Sequence, residues 1–162
     1  MNPSHKPGWF TIEGAVVEGH RVASGTNGDK RFPEGTIRMQ RPYFAAHGFR
    51  LDWVHPATLN LSLAPKQFRI LRPAKTIRNL RWHPTEPAET FSFCDCRIHA
   101  PDGKIVVGYV YCPHPETKPE HHQPPDVLEI LAPFIDGIHY GLRLTIELRS
   151  SQIALGESEA HG

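Results

Sequence analysis

Leu142-Arg143-Leu144-Thr145-Ile146-Glu147-Leu148-Arg149 alternates apolar and polar side chains without interruption. Successive side chains of a strand point to opposite faces, so this octet builds one apolar and one polar face and fits no helix. It is a half-buried β-strand. The same alternation runs more loosely through Phe10, Ile12 and Val16. Residues 58–63, 68–71, 76–82, 90–98 and 104–112 are further β-prone runs, and Pro101-Asp102-Gly103 joins the last two as a hairpin-type turn. Helical pattern is confined to two short stretches. One is 42–47, with Pro42 in its first turn and Gly48 as its stop; the other is 125–131, opened by Pro125-Asp126 and closed by Pro133. About seven strands with one or two short helices predict a mainly β fold, a six- to seven-stranded barrel, because closure removes exposed edges. Residues 1–150 are read as that single domain, and 151–162 as a polar C-terminal tail expected to fray.

Composition narrows the partners. The chain has 162 residues, 39% of them hydrophobic, and a formal net charge of +1, so no long-range field draws a generic polyanion. Nucleic acid is not expected as a partner. The longest nearly apolar run, 105–113, is about half the roughly 20 residues that span a bilayer. The start, Met1-Asn2-Pro3-Ser4-His5-Lys6, has no hydrophobic secretory segment. A soluble, cytoplasmic protein without membrane contact is therefore expected. Cys94, Cys96 and Cys112 form no C-x-x-C pair and are read as free thiols. The sequence carries no signal for oligomeric state.

Three segments have residues suited to chemistry. Glu18-Gly19-His20-Arg21-Val22-Ala23-Ser24-Gly25 follows the first strand, where small residues let backbone N–H groups approach phosphate oxygens. In Pro56-Ala57-Thr58-Leu59-Asn60-Leu61, Thr58 and Asn60 share one strand face, so a hydroxyl and an amide oxygen can converge on a hard cation such as magnesium. The third segment, 112–133, holds five prolines within 113–125, a stiff loop too long for a simple connector. Its His114, His121 and His122 fit no standard metal-ligand spacing.

Taken in order, these segments resemble the archaeal-type, CTP-dependent riboflavin kinases. The likeness runs from Ile12-Glu13-Gly14-Ala15-Val16-Val17-Glu18-Gly19, through Tyr43, Phe44 and Gly48-Phe49, to Thr58-Leu59-Asn60-Leu61. It then takes in Pro115-Glu116-Thr117 with His121-His122, and Asp126-Val127-Leu128-Glu129-Ile130-Leu131-Ala132-Pro133. It covers about residues 11–135, with Ala57 where the family has glycine and a shorter stretch after Pro133. The resemblance implies a cradle-loop barrel in which Gly19, His20, Arg21, Val22, Ala23, Ser24 and Gly25 cradle the triphosphate of CTP or another nucleoside triphosphate. It further implies that Thr58 and Asn60 hold Mg2+, that Thr117, His121, His122 and Glu129 meet riboflavin, and that Glu129 is the catalytic carboxylate.

Three functions are compatible with this reading. The first is phosphoryl transfer to riboflavin, giving FMN. The second is a barrel of the same kind that binds nucleotide or flavin without turnover. The third is a metal-dependent β-barrel enzyme lined by three or more of His114, His121, His122, Cys94 and Cys96.

Overall fold

A computed structural model describes residues 8–18, 35–114, 116 and 125–157. Its elements run β1 (Trp9–Val17), α1 (Thr36–Ala46), β2 (Leu59–Ser62), β3 (Lys66–Ile70) and β4 (Lys75–Leu80). They continue with β5 (Glu89–His99), β6 (Ile105–Pro113), β7 (Val127–Leu131), β8 (Arg143–Arg149) and β9 (Ile153–Glu157). Seven strands form one sheet in the order β4-β5-β6-β7-β2-β1-β8, and β8 pairs again with β5. Six of them, β5, β6, β7, β2, β1 and β8, thereby close into a ring. The mainly β expectation holds.

β5 permits this closure because it is long enough to serve two partners along one edge. Its first half pairs with β4, from Phe93↔Lys75 to Glu89↔Leu80, and its second half pairs with β8 through Cys96↔Leu148, Arg97↔Glu147 and Ile98↔Ile146. Between the two partners the edge is closed by a side chain. Gln152 Oε1 accepts from the Asp95 N–H at 2.7 Å, and its Nε2 donates to Asp95 Oδ2 at 2.9 Å.

Alternation then sorts the side chains into two cores. Val16, Leu61, Cys94, Cys96, Ile98, Val110, Leu128, Ile130, Leu144, Ile146 and Leu148 face inward and fill the ring. Phe91, Phe93, Tyr111 and Leu131 face outward and make a second core with Ile37 and Phe44 of α1 and with Leu51, Val54 and Trp82. Cys94, Cys96 and Cys112 are free thiols, as expected, and burial of Cys94 and Cys96 pushes both up, Cys94 to about 12.

The helix and the chain end depart from the sequence reading. α1 begins at Thr36, six residues before Pro42, which lies inside the helix. Proline removes one intrahelical donor, yet Phe44 beyond it is wedged edge-on against Phe91 and Phe93, with ring centroids 5.1 and 5.3 Å away. The second expected helix, 125–131, is the strand β7. Its residues are covered on both faces, with Leu128 and Ile130 in the ring core and Leu131 in the outer one, so they carry no clean alternation to read. Residues 153–157 of the expected tail form β9, which pairs with β3 and buries Ile153 completely in the ring core. No helix among the described residues is long and apolar enough to cross a membrane.

Gly108 reports on the ring's tightness. A Cβ there would meet the Leu131 carbonyl oxygen at 2.5 Å, whereas one at Gly156 meets nothing within 4 Å. Gly108→Ala is therefore expected to lower stability by about 1–3 kcal/mol, the usual range for overpacking, and Gly156→Ala to leave it nearly unchanged. Paired urea denaturation curves measure the difference.

Candidate functional site

β2 points Leu59, Leu61 and Leu63 toward the ring core, so Thr58 and Asn60 fall on the outer face. Their side chains meet: Thr58 Oγ1 donates to Asn60 Oδ1 at 3.3 Å. Asn60 pairs directly with Val17 on one side and with Glu129 on the other. Directly opposed residues of antiparallel strands share a face, with Cβ atoms about 4.5–5.5 Å apart. The structure thus brings Thr58, Asn60 and Glu129 together, beside the end of β1.

Glu129 reaches this position from a strand instead of the expected helix, and both it and Asn60 are buried. The register Tyr109↔Leu131 and Val110↔Ile130 carries the row onward toward Tyr111. Tyr111 is fully enclosed, and burial, followed by the charges of Glu129 and Glu89, raises its phenol well above the ordinary value. Its hydroxyl donates to Gln40 Oε1 of α1 at 2.8 Å. A polar row therefore crosses the outer face through Asn60, Glu129, Tyr111 and Gln40. Sequence reading missed Tyr111 and Gln40; the signal was Gln40 at helical spacing between Ile37 and Phe44, all three buried.

Magnesium prefers octahedral oxygen coordination at about 2.0–2.1 Å, which sets neighbouring ligands roughly 3 Å apart. The 3.3 Å between the Thr58 and Asn60 oxygens suits two adjacent positions of such a shell, and Glu129 stands opposite Asn60 in the register. These two oxygens are of the hard kind that magnesium takes. Thr58 also stands on the rim of an apolar cavity of about 190 Å3, walled by Leu59, Ile130, Ala132, Phe134 and Ile138 among others.

The remaining expected site residues, Gly19, His20, Arg21, Val22, Ala23, Ser24 and Gly25 with Thr117, His121 and His122, lie outside the described residues. No group of three histidine, cysteine, aspartate or glutamate side chains that could hold a metal ion occurs among the described residues. Cys94 and Cys96 sit in the ring core, and His114 hydrogen-bonds Ser92 and Glu116. No family model matches the chain, and no curated protein or solved structure matches it either.

Tyr111 gives this face a measurable alkaline signature. Its folded pKa is above its unfolded one, so its contribution to stability is complete below pH about 10, the unperturbed phenol value. It is lost as pH rises from there through the folded value. Stability should fall by up to about 1.4 kcal/mol per pH unit on this account. Tyr111→Phe should lose a constant amount from the Gln40 hydrogen bond and lack this part of the slope, as read from urea denaturation at successive pH values.

Proposed function

We propose that the protein is a magnesium-requiring phosphotransferase, passing the terminal phosphoryl group of a nucleoside triphosphate, with CTP the first choice, to the 5′-hydroxyl of riboflavin and yielding FMN. The observation that carries this is the pairing of Asn60 with Glu129, with Thr58 Oγ1 3.3 Å from Asn60 Oδ1. Phosphoryl transfer asks a protein mainly to align donor and acceptor and to stabilise spreading charge. Two neutral oxygens suited to a cation that offsets this negative charge, and one carboxylate for the acceptor hydroxyl, supply groups for both tasks.

In this reading Thr58 and Asn60 hold the metal through their side-chain oxygens. A magnesium ion held by them would offset the negative charge of the phosphates. Glu129 orients the acceptor hydroxyl and takes its proton as the oxygen attacks. Its burial keeps bulk water from competing for that proton. The resemblance supplies the remaining roles: Gly19 to Gly25 for the phosphates, and Thr117, His121 and His122 for the flavin.

Incubation with riboflavin, magnesium and each of the four nucleoside triphosphates should yield FMN with at least one. Absence of FMN in all four rejects the transfer and favours a binding protein without turnover. Asn60→Ala should weaken nucleotide binding in magnesium much more than in EDTA; equal loss in both would reduce Asn60 to a structural residue. Glu129→Gln preserves shape, so turnover should drop by about 10²–10⁴-fold while riboflavin affinity changes little.

A further inference from the structure

On the inner face of the sheet, beyond the apolar filling of the ring, three short polar side chains stand abreast on neighbouring strands. Thr76 of β4 is paired with Ser92 of β5, and Ser92 with Cys112 of β6. β6 ends at Pro113, but the ladder continues, because the His114 N–H donates to the Thr90 carbonyl at 2.9 Å. This holds His114 two residues past Cys112, on the same face.

The hydrogen bonds among these groups run in one direction. Glu116 Oε1 lies 3.1 Å from His114 Nδ1. An ionised carboxylate only accepts, so Nδ1 carries a proton, and in the tautomer with that single proton Nε2 is an acceptor. Glu116 is kept ionised by its own backbone N–H and by His114, which lower its pKa. Nε2 lies 2.7 Å from Ser92 Oγ, so the serine hydroxyl donates to it. Thr76 Oγ1, 3.1 Å from Ser92 Oγ, then donates to the serine oxygen. Nucleophile, base and orienting carboxylate stand in the relation used for acyl transfer.

A serine bonded in this way inside a filled core would be structural. Here Ser92 is buried as a residue yet lines an open cavity of about 330 Å3, together with His114, Cys112 and Thr76. Ile70, Leu71 and Pro73 form the apolar wall and Arg78 supplies a cation. Beside it β4 carries a bulge between Ile77 and Leu80, where Asn79 adopts φ 49° and its N–H donates to Thr90 Oγ1 at 3.1 Å. Bulges re-aim side chains next to active sites.

We propose that Ser92, His114 and Glu116 form a second active site, an esterase centre for short acyl esters bearing an anionic group that Arg78 receives. Ser92 Oγ forms a bond to the acyl carbon while its proton passes to His114 Nε2. The ester C–O bond breaks, and the departing alcohol takes that proton. Water then adds to the acyl-serine by the same route in reverse, releasing the acid and restoring the serine. Glu116 is a positioning residue, holding the imidazole tautomer. The site lies on the opposite sheet face from Asn60 and Glu129 and does not depend on the phosphotransferase reading.

The test uses the full chain. A fluorophosphonate probe should label it, and peptide mass spectrometry should locate the adduct on Ser92. p-Nitrophenyl acetate should give a burst of p-nitrophenol that Ser92→Ala abolishes. His114→Ala should slow acylation by about 10²–10⁴-fold. Glu116→Gln should lower kcat at unchanged KM, and Glu116→Asp should restore part of it, a split that a role confined to folding would not produce. Mono-p-nitrophenyl succinate should show a lower KM than the acetate, and Arg78→Ala should erase the difference. Absence of labelling in the unaltered chain, or an adduct on Cys112, overturns the proposal whether or not any variant folds.

Discussion

The whole architecture hangs on the seam between β5 and β8. Only three residue pairs join the strands there, Cys96↔Leu148, Arg97↔Glu147 and Ile98↔Ile146. Both faces of that short seam are reinforced. Inside, Cys96, Ile98, Ile146 and Leu148 are almost completely removed from water. Outside, Glu147 lies 4.0 Å from Arg97 and 3.0 Å from His99, while Arg97 and Arg149 both lie over the Trp9 ring, at 4.0 and 4.7 Å. The cations are partly exposed while the shared Glu147 carboxylate is buried, and together these contacts hold one register. A one-residue slip would send each apolar side chain of β8 outward and each charge inward, so the seam has a single workable alignment.

Closing the ring fixes which face every other residue presents. Once Cys94, Cys96 and Ile98 are inside, Phe91 and Phe93 are outside and must be covered, which is the role of α1 and residues 47–58. That outer layer is not wholly apolar. Tyr111 meets Gln40, and the Trp82 indole N–H donates to Glu89 Oε2 at 2.6 Å. A buried polar group left unpaired costs about 1–3 kcal/mol, so these pairings restrict how the helix can seat on the sheet. The polar row ending at Asn60 and Glu129 belongs to the same layer and is held by it.

Strands rich in β-branched and aromatic residues or with one wet face were legible in the sequence, β5 among them although it is buried on both faces, whereas the short two-sided strand β7 was not. β8 alternates cleanly and β1 more loosely, so in β8 both the element and its buried face could be read from residues such as Leu144, Ile146 and Leu148. β7 presents Leu128 and Ile130 to one core and Leu131 to the other, and its Leu128/Leu131 spacing imitates a helix. α1 reads short from sequence because Pro42 looks like a start and Gln40 interrupts the apolar stripe; the Tyr111 hydroxyl, far away in sequence, is what makes a buried glutamine acceptable. Thr58 and Asn60 were legible as a same-face pair, since their geometry is local. Their meeting with Glu129, and that of Ser92 with His114, depends on strand pairing across many residues, which no local pattern encodes.

Glu129 on a strand differs chemically from Glu129 on a short helix. A helix of only seven residues is marginal by itself and frays, which lets a carboxylate wander. A strand flanked by β2 and β6 and covered on both faces fixes the backbone and leaves only the side-chain rotamers. Catalysis of phosphoryl transfer gains from groups already in place more than from groups that must be gathered. The same sheet supplies that fixity twice. β5 and β6 carry Ser92 and Cys112 on the inner face, while β2 and β7 carry Asn60 and Glu129 on the outer one. Because the two sets point in opposite directions, substitutions on one face leave the hydrogen-bond partners on the other untouched, and additive effects are the expectation for such separated sites.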